Sequence, residues 1–279
     1  MNISLFGGTG FIGSHFINRF KDEHFISVRE RWNRRPVPDS DTLWFISTTH
    51  NYWVFKDASE DVRTNLLALT ESLDSFRNET PNGTFNFISS WFVYGDHGGY
   101  PVNEAVSCYP RGFYSITKYT AEQLLQSYCE THNLKWRILR LGNVVGPGDH
   151  YSAQKNALQF LINEMKEGRD IKLYNGGYFY RNYMHVYDTV EAIGKVIERG
   201  VKNQIYNIGH PDERKFVDHI HKAAEIIGYD PRRIGTMDPK PFHRQVQTES
   251  FRMDTHKLRY EIGFRPELTL DAMIDDITR

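Results

Sequence analysis

Tyr114 and Lys118 stand four residues apart in the stretch Tyr-Ser-Ile-Thr-Lys, which is one helical turn. A phenol that exchanges a proton near neutral pH starts from a pKa of about 10, and an ammonium beside it lowers that value by stabilising phenolate. The spacing of Ala121, Leu124 and Leu125 predicts a helix from Tyr114 through Gln126. Both side chains then share one face and can work as a single acid/base unit. A second set of residues lies far upstream. Gly7, Gly8, Gly10 and Gly13 follow a short apolar segment, and Phe11, Ile12, His15, Phe16 and Phe20 recur behind them at helical spacing. Strand, glycine turn and helix form a cradle whose backbone amides, those of Phe11 and Ile12 included, can approach a pyrophosphate at the positive end of the helix. The two sets together point to nicotinamide redox chemistry.

The elements that must position these groups are legible as alternation. Apolar strands are predicted near Ile3–Phe6, Phe25–Val28, Leu43–Ile46, Asn86–Ser89, Lys135–Arg140 and Gln204–Ile208. Helices fill the gaps, notably Glu60–Phe76, Tyr114–Thr131 and Val186–Arg199. This is the pattern of an α/β fold with a doubly wound parallel sheet covered on both faces. With 279 residues, 39% apolar and 14% aromatic, the chain can bury a core for two lobes. The turn-rich stretch at Gly146–Asp149 marks the boundary. The expected division is 1–145 with 183–209 for the dinucleotide, and 146–182 with 210–279 for the substrate.

Charge and cysteine content narrow the partners. The 34 basic and 35 acidic side chains leave a net charge of −1, so nothing global recruits nucleic acid or an anionic membrane. There are two cysteines and no apolar run long enough to span a bilayer, which predicts a reduced, cytoplasmic setting. His219 and His221 are only two apart and do not make a metal site.

Five ordered segments carry a family resemblance: Gly-Gly-Thr-Gly-Phe-Ile-Gly from Gly7, Ser-Ser-Trp-Phe-Val-Tyr-Gly from Ser89, Tyr-Ser-Ile-Thr-Lys from Tyr114, Arg-Leu-Gly-Asn-Val-Val-Gly-Pro-Gly from Arg140 and Arg-Asn-Tyr-Met-His-Val-Tyr-Asp from Arg181. In these the chain resembles the extended short-chain dehydrogenase/reductases that act on nucleotide sugars. The resemblance implies a Rossmann lobe with a smaller C-terminal substrate lobe. It makes Ser90 the third catalytic residue, orienting the reacting oxygen, while Tyr114 moves the proton and Lys118 lowers its pKa and binds nicotinamide ribose. Ser89, on the other side of the strand, is expected to satisfy backbone groups. Thr48 and Asn65 are cofactor-side residues in this comparison. Trp91 and Phe92 stand where the family's 4,6-dehydratases place acidic groups, and Phe92 where epimerase-reductases place a cysteine, which argues against dehydration and 3,5-epimerisation. Asn143, Arg181 and Arg244 match contacts to the nucleotide-diphosphate sugar, whereas Gln247 replaces an acidic ribose contact. His185 and Asp188 read as structural, and His150 lies near the sugar pocket. The family also implies a homodimer, formed by the helices that carry Ala68, Leu69 and Leu73 and Leu124, Leu125 and Tyr128.

One region departs from the family. Only 14 residues separate Val28 from Leu43, too few for the usual helix, strand and helix, so the sheet is shortened between the family's second and fourth strands. The cofactor's adenine side should be open and the cofactor exchangeable. At the end of the second strand, Arg29, Glu30 and Arg31 offer both the carboxylate that suits NAD and the basic cluster that suits NADP, and the density of basic groups tips the reading to NADP. The leading function is a nucleotide-sugar 4-epimerase working through a transient ketone. The alternatives are an NADPH-dependent 4-keto-6-deoxy nucleotide-sugar reductase and a non-catalytic dinucleotide sensor.

Overall fold

The computed structural model describes residues 1–30, 32–49, 52–149, 156–246 and 250–279. Arg31, His150 and Gln247 fall outside the described residues. Six strands, β1 (Asn2–Phe6), β2 (Phe25–Arg29), β3 (Asp41–Trp44), β4 (Thr84–Ser90), β5 (Lys135–Leu141) and β6 (Gln204–Ile208), form the central sheet in the order β6-β5-β4-β3-β1-β2. Every pairing is parallel. In β4 the first six of seven residues are buried, as a strand covered on both faces requires. The order turns back at β1, which has β2 on one side and β3 on the other. The carboxyl ends of β1 and β3 therefore open the crevice in which such sheets hold ligands.

Two helices cover each face. Phe16 and Phe20 of the helix Phe11–Phe20 and Val190, Ile193 and Val196 of Val186–Arg199 pack with Ile3, Leu5 and Leu139 on one side. On the other, Leu69, Leu73 and Phe76 of Ala68–Glu79 and Ala121 and Leu125 of Phe113–Thr131 pack with Phe85, Phe87 and Ile138. Ala68, Leu69, Leu73 and Leu125 thus bury against the chain's own sheet. Among the described residues, apolar side chains left exposed on these helical segments include Val62, Leu67, Phe113, Ile116 and Leu124. A separate core joins the helices Ala157–Lys166, Phe216–Ile227 and Leu270–Thr278 through Leu158, Ile162, Ile220, Ala223, Met273 and Ile274.

One departure from the sequence pattern and one feature expected from it bear on the site. The helix expected over Glu60–Phe76 is three pieces: α-helical Ser59–Val62, a π-helical turn Arg63–Leu67, and α-helical Ala68–Glu79. The wider turn points Thr64 and Asn65 inward, both buried. Between β2 and β3 the described residues form neither helix nor strand, and β2 is the last strand of the sheet. Its Phe25 is 70% exposed.

Candidate active site

The glycine turn leaves β1 with Gly7 at φ +88°, and Gly10 N–H donates to the Gly7 carbonyl at 3.1 Å. A Cβ on Gly13 would lie 2.4 Å from the Gly7 oxygen, so the helix seats against the turn only because position 13 has no side chain. Ser14 N–H makes the first helical bond, to Gly10. The amides of Phe11, Ile12 and Gly13 belong to the open first turn, and the Phe11 and Ile12 side chains pack on the core. Arg29 pairs with Phe6 beside this turn, and its buried Nε has no hydrogen-bond partner among the described residues. Glu30 is exposed.

Tyr114 and Lys118 enter from the first turns of Phe113–Thr131, 8% and 1% exposed. Ser90 ends β4 and caps the short turn Trp91–Val93, accepting from Phe92 N–H at 3.4 Å. With that lone pair engaged, its hydroxyl hydrogen is available to a substrate oxygen or to Tyr114. The structure thus brings the three expected catalytic groups together at the carboxyl end of β4. Ser89 differs from expectation: its hydroxyl is buried and bonds to no described group.

The electrostatics also depart from the simple pairing. Burial pushes the Tyr114 phenol above its ordinary pKa, against hydrogen bonds from Ser47 and Ser90 that lower it. The groups that lower it are the two serines, not the lysine that the spacing pointed to. Lys118 donates to the Ile88 carbonyl at 2.8 Å and lies 4.1 Å from the Phe87 ring centre. Burial lowers its own pKa to about 7, opposed by the negative charge of Glu122 one turn along. The unfolded lysine titrates near 10.4, so between about pH 7 and that value the unfolded chain holds the extra proton and stability rises with pH. Lys118→Met should accordingly be more stable than the parent at pH 7, by an amount on the order of 3 kcal/mol. The difference should shrink as pH rises toward 10. Urea midpoints of both proteins across that range check this; a pH-independent difference would show that the lysine folds without a charge penalty.

Thr48 and Asn65 direct their side-chain donors into the protein. The Thr48 hydroxyl donates to Asp61, and the two amide hydrogens of Asn65 go to Thr48 Oγ1 at 3.1 Å and Thr117 Oγ1 at 3.0 Å. Their donors are spent inside the protein, because the π-helical turn carries Asn65 inward. Sequence reasoning missed Asp61. The signal available was its position four residues before Asn65, on the same helical face.

On the substrate side, Trp91 and Phe92 stack with ring centres 4.0 Å apart, and Phe92 meets the Tyr114 ring edge-on at 6.1 Å. Arg181 is buried with its guanidinium 5.1 Å from the Trp91 ring and 4.6 Å from that of Phe179, donating to the Tyr180 carbonyl at 2.9 Å. Phe179 was not anticipated. Asn143 donates its amide to the Asn182 carbonyl at 3.0 Å. Arg244 lies on the exposed side of the short helix Pro241–Val246, whose last residue shares a small cavity with Trp91, Phe92 and Arg111. His185 pairs with Asp276 at 3.0 Å, and Asp188 accepts from Glu267 and Leu268 N–H, both packing roles. Among the described residues no helix is long and apolar enough to cross a membrane.

Residues 45–209 match the NAD dependent epimerase/dehydratase family, and the chain belongs to that family. It is 25% identical over 294 aligned positions to the GDP-6-deoxy-D-mannose reductase of Pseudomonas aeruginosa, covering 95% of this chain and 91% of that protein. To the low-salt glycan biosynthesis protein Agl12 of Haloferax volcanii it is 26% identical, covering 99% and 98%. Among solved structures, the UDP-glucuronic acid 4-epimerase of Bacillus cereus with UDP-glucuronic acid and NAD shares the fold at a TM-score of 0.85 and 19% identity, covering 100% and 98%. RMD from Pseudomonas aeruginosa complexed with NADPH does so at 0.80 and 21%, covering 99% and 96%.

Proposed function

We propose that this protein moves hydride between NADP(H) and the 4-position of a nucleotide-diphosphate sugar, and that its main direction is reduction of a 4-keto-6-deoxy sugar. The observation that carries this is the trio Ser90, Tyr114 and Lys118 at the carboxyl end of a sheet whose β2 edge is uncovered. The residues present fit a dinucleotide: the turn at Gly7–Gly13 leaves no room for side chains, and Arg29 keeps a buried donor beside it. The amides of Phe11 and Ile12 would face the pyrophosphate, Arg29 and Arg31 the ribose phosphate, and Lys118 the nicotinamide ribose. When bound, the nicotinamide supplies the hydride.

The chain's own groups do the rest. Ser90 donates to the ketone oxygen, and Tyr114 delivers the proton as charge grows there. Burial keeps the phenol protonated at neutral pH, which suits an acid more than a base. Trp91 and Phe92 carry no group able to remove water, so dehydration is not part of the cycle. In the same reading residues 146–182 and 210–279 close over the sugar, with Asn143, Arg181 and Arg244 toward the diphosphate. The exposed row Val62, Leu67, Ile116 and Leu124 supports the homodimer, which sedimentation tests.

The sequence put epimerisation first; the open β2 edge and the protonated phenol favour net reduction, as does the similarity to a reductase. The deciding experiment identifies any nucleotide released on denaturing the purified protein, then adds NADPH with UDP-, GDP- and dTDP-linked 4-keto-6-deoxy sugars. An empty protein that oxidises NADPH with one of them is the expected result. Stoichiometric retained NAD with interconversion of 4-epimers would make it an epimerase, and binding without turnover a sensor.

A further inference from the structure

We propose that Ser47 is a second hydroxyl donor to the phenolate of Tyr114, alongside Ser90, and that Asp61, Thr48 and Asn65 form the hydrogen-bond relay that positions it. The inference rests on the reading of Tyr114 as the acid/base group. Ser47 follows β3 at the crevice and is exposed, while Asp61 is 1% exposed beneath it. As a carboxylate Asp61 only accepts, so the Thr48 hydroxyl hydrogen points to it. Thr48 Oγ1 is then the acceptor for Asn65 Nδ2 at 3.1 Å, and the second Nδ2 hydrogen goes to Thr117 at 3.0 Å. The amide has one orientation open to it, because Thr48 N–H donates to Asn65 Oδ1 at 3.2 Å and a flipped group would set donor against donor.

The same oxygen faces Ser47. Its Oγ lies 3.4 Å from Asn65 Oδ1, 3.3 Å from the Thr48 carbonyl and 3.5 Å from the Tyr114 oxygen. While the phenol keeps its proton, the Ser47 hydrogen rests on Asn65 or on the carbonyl. When the phenol ionises, a rotation about one bond turns that hydrogen onto the phenolate. Among the described residues, the groups that face Tyr114 include Ser47 after β3, Asp61 from Ser59–Val62, and Ser90 and Phe92 at the end of β4; Lys118, one turn along its own helix, is turned to the Ile88 carbonyl, and Glu60 adjoins Asp61. Of these, Ser47 and Ser90 alone bring a neutral hydroxyl donor.

The test places a fluorinated tyrosine, more acidic than tyrosine, at position 114 of the full chain and follows its ionisation by fluorine NMR. Ser47→Ala should raise the midpoint by about one pH unit, a tenfold drop in the ionisation constant, because a donor to the charged form is lost. Thr48→Val cuts the relay; it should raise the midpoint less and add no further rise in the Ser47→Ala background. A midpoint unmoved by Ser47→Ala, or a Thr48→Val shift that persists without Ser47, would overturn the proposal. The readout needs neither cofactor nor sugar. Absence of turnover with every nucleotide sugar would remove the functional reading and leave the relay standing or falling on its own shifts.

Discussion

Tyr114→Phe lowers kcat by a factor of about 10²–10⁴ and leaves NADPH affinity unchanged, the expected loss for a positioned proton donor. The ring is buried and its edge contact with Phe92, at 6.1 Å and 87°, does not involve the hydroxyl, so phenylalanine keeps the packing. Only the hydroxyl is removed, and with it the hydrogen bonds that Ser47 and Ser90 bring to its oxygen. The pH profile carries the second half of the expectation. With the phenol's pKa raised by burial, reduction stays level through neutral pH and declines on the alkaline side as the proton is lost, while the reverse oxidation climbs over the same interval. Both limbs vanish in the variant. Turnover that keeps its alkaline limb in Tyr114→Phe would assign the proton to another group. Steady-state kinetics in both directions, with cofactor binding measured by fluorescence, separates the outcomes.

Arg140→Leu costs about 3–5 kcal/mol of folding stability, the effect of stripping a buried charge of its partner. The Arg140 side chain is only 3% exposed and that of Glu122 fully buried, with Nη2 and Oε2 2.6 Å apart and Nε 3.1 and 3.2 Å from the two carboxylate oxygens. Burial works against the arginine's charge, and the hydrogen bonds and charge of Glu122 more than offset it. The pair ties the helix that carries Tyr114 and Lys118 to β5. The double replacement Arg140→Leu with Glu122→Leu should recover much of the loss, because no uncompensated charge remains. Urea midpoints of the two single variants and the double decide this. A double variant as unstable as the single one would mean that the pair contributes shape, not charge compensation.

The six strands, the glycine turn and the Tyr–Lys pair were readable because each rests on local pattern: a run of apolar residues, a residue without Cβ, a four-residue spacing. The π-helical turn at Arg63–Leu67 was not, since one extra residue in a turn leaves the apolar spacing around it nearly unchanged. That single residue decides where Asn65 points, and with it the relay from Asp61. The same reason explains why Thr48 and Asn65 read as cofactor ligands when their donors are spent within the protein. The electrostatics of Tyr114 were also out of reach, because the number of groups buried around a phenol is a tertiary quantity. For Trp91 and Phe92 the family resemblance named the chemistry they lack, while the placement of Arg181 against both Trp91 and Phe179 depended on segments far apart in the chain.

The bare flank of the sheet has a consequence for the life of the protein in a crowded solution. A terminal strand offers a row of unpaired amides and carbonyls to any passing chain, and on β2 that row is accompanied by exposed Phe25 and Val28. The strand is only five residues long, and charges crowd both ends: Lys21, Asp22 and Glu23 before it, Arg29 at its last position and Glu30 just after it. Such flanking charges act as gatekeepers against edge-to-edge growth of the sheet. Lys21, Asp22 and Glu23 thus serve colloidal solubility, and their neutralisation would be felt as precipitation long before any loss of fold.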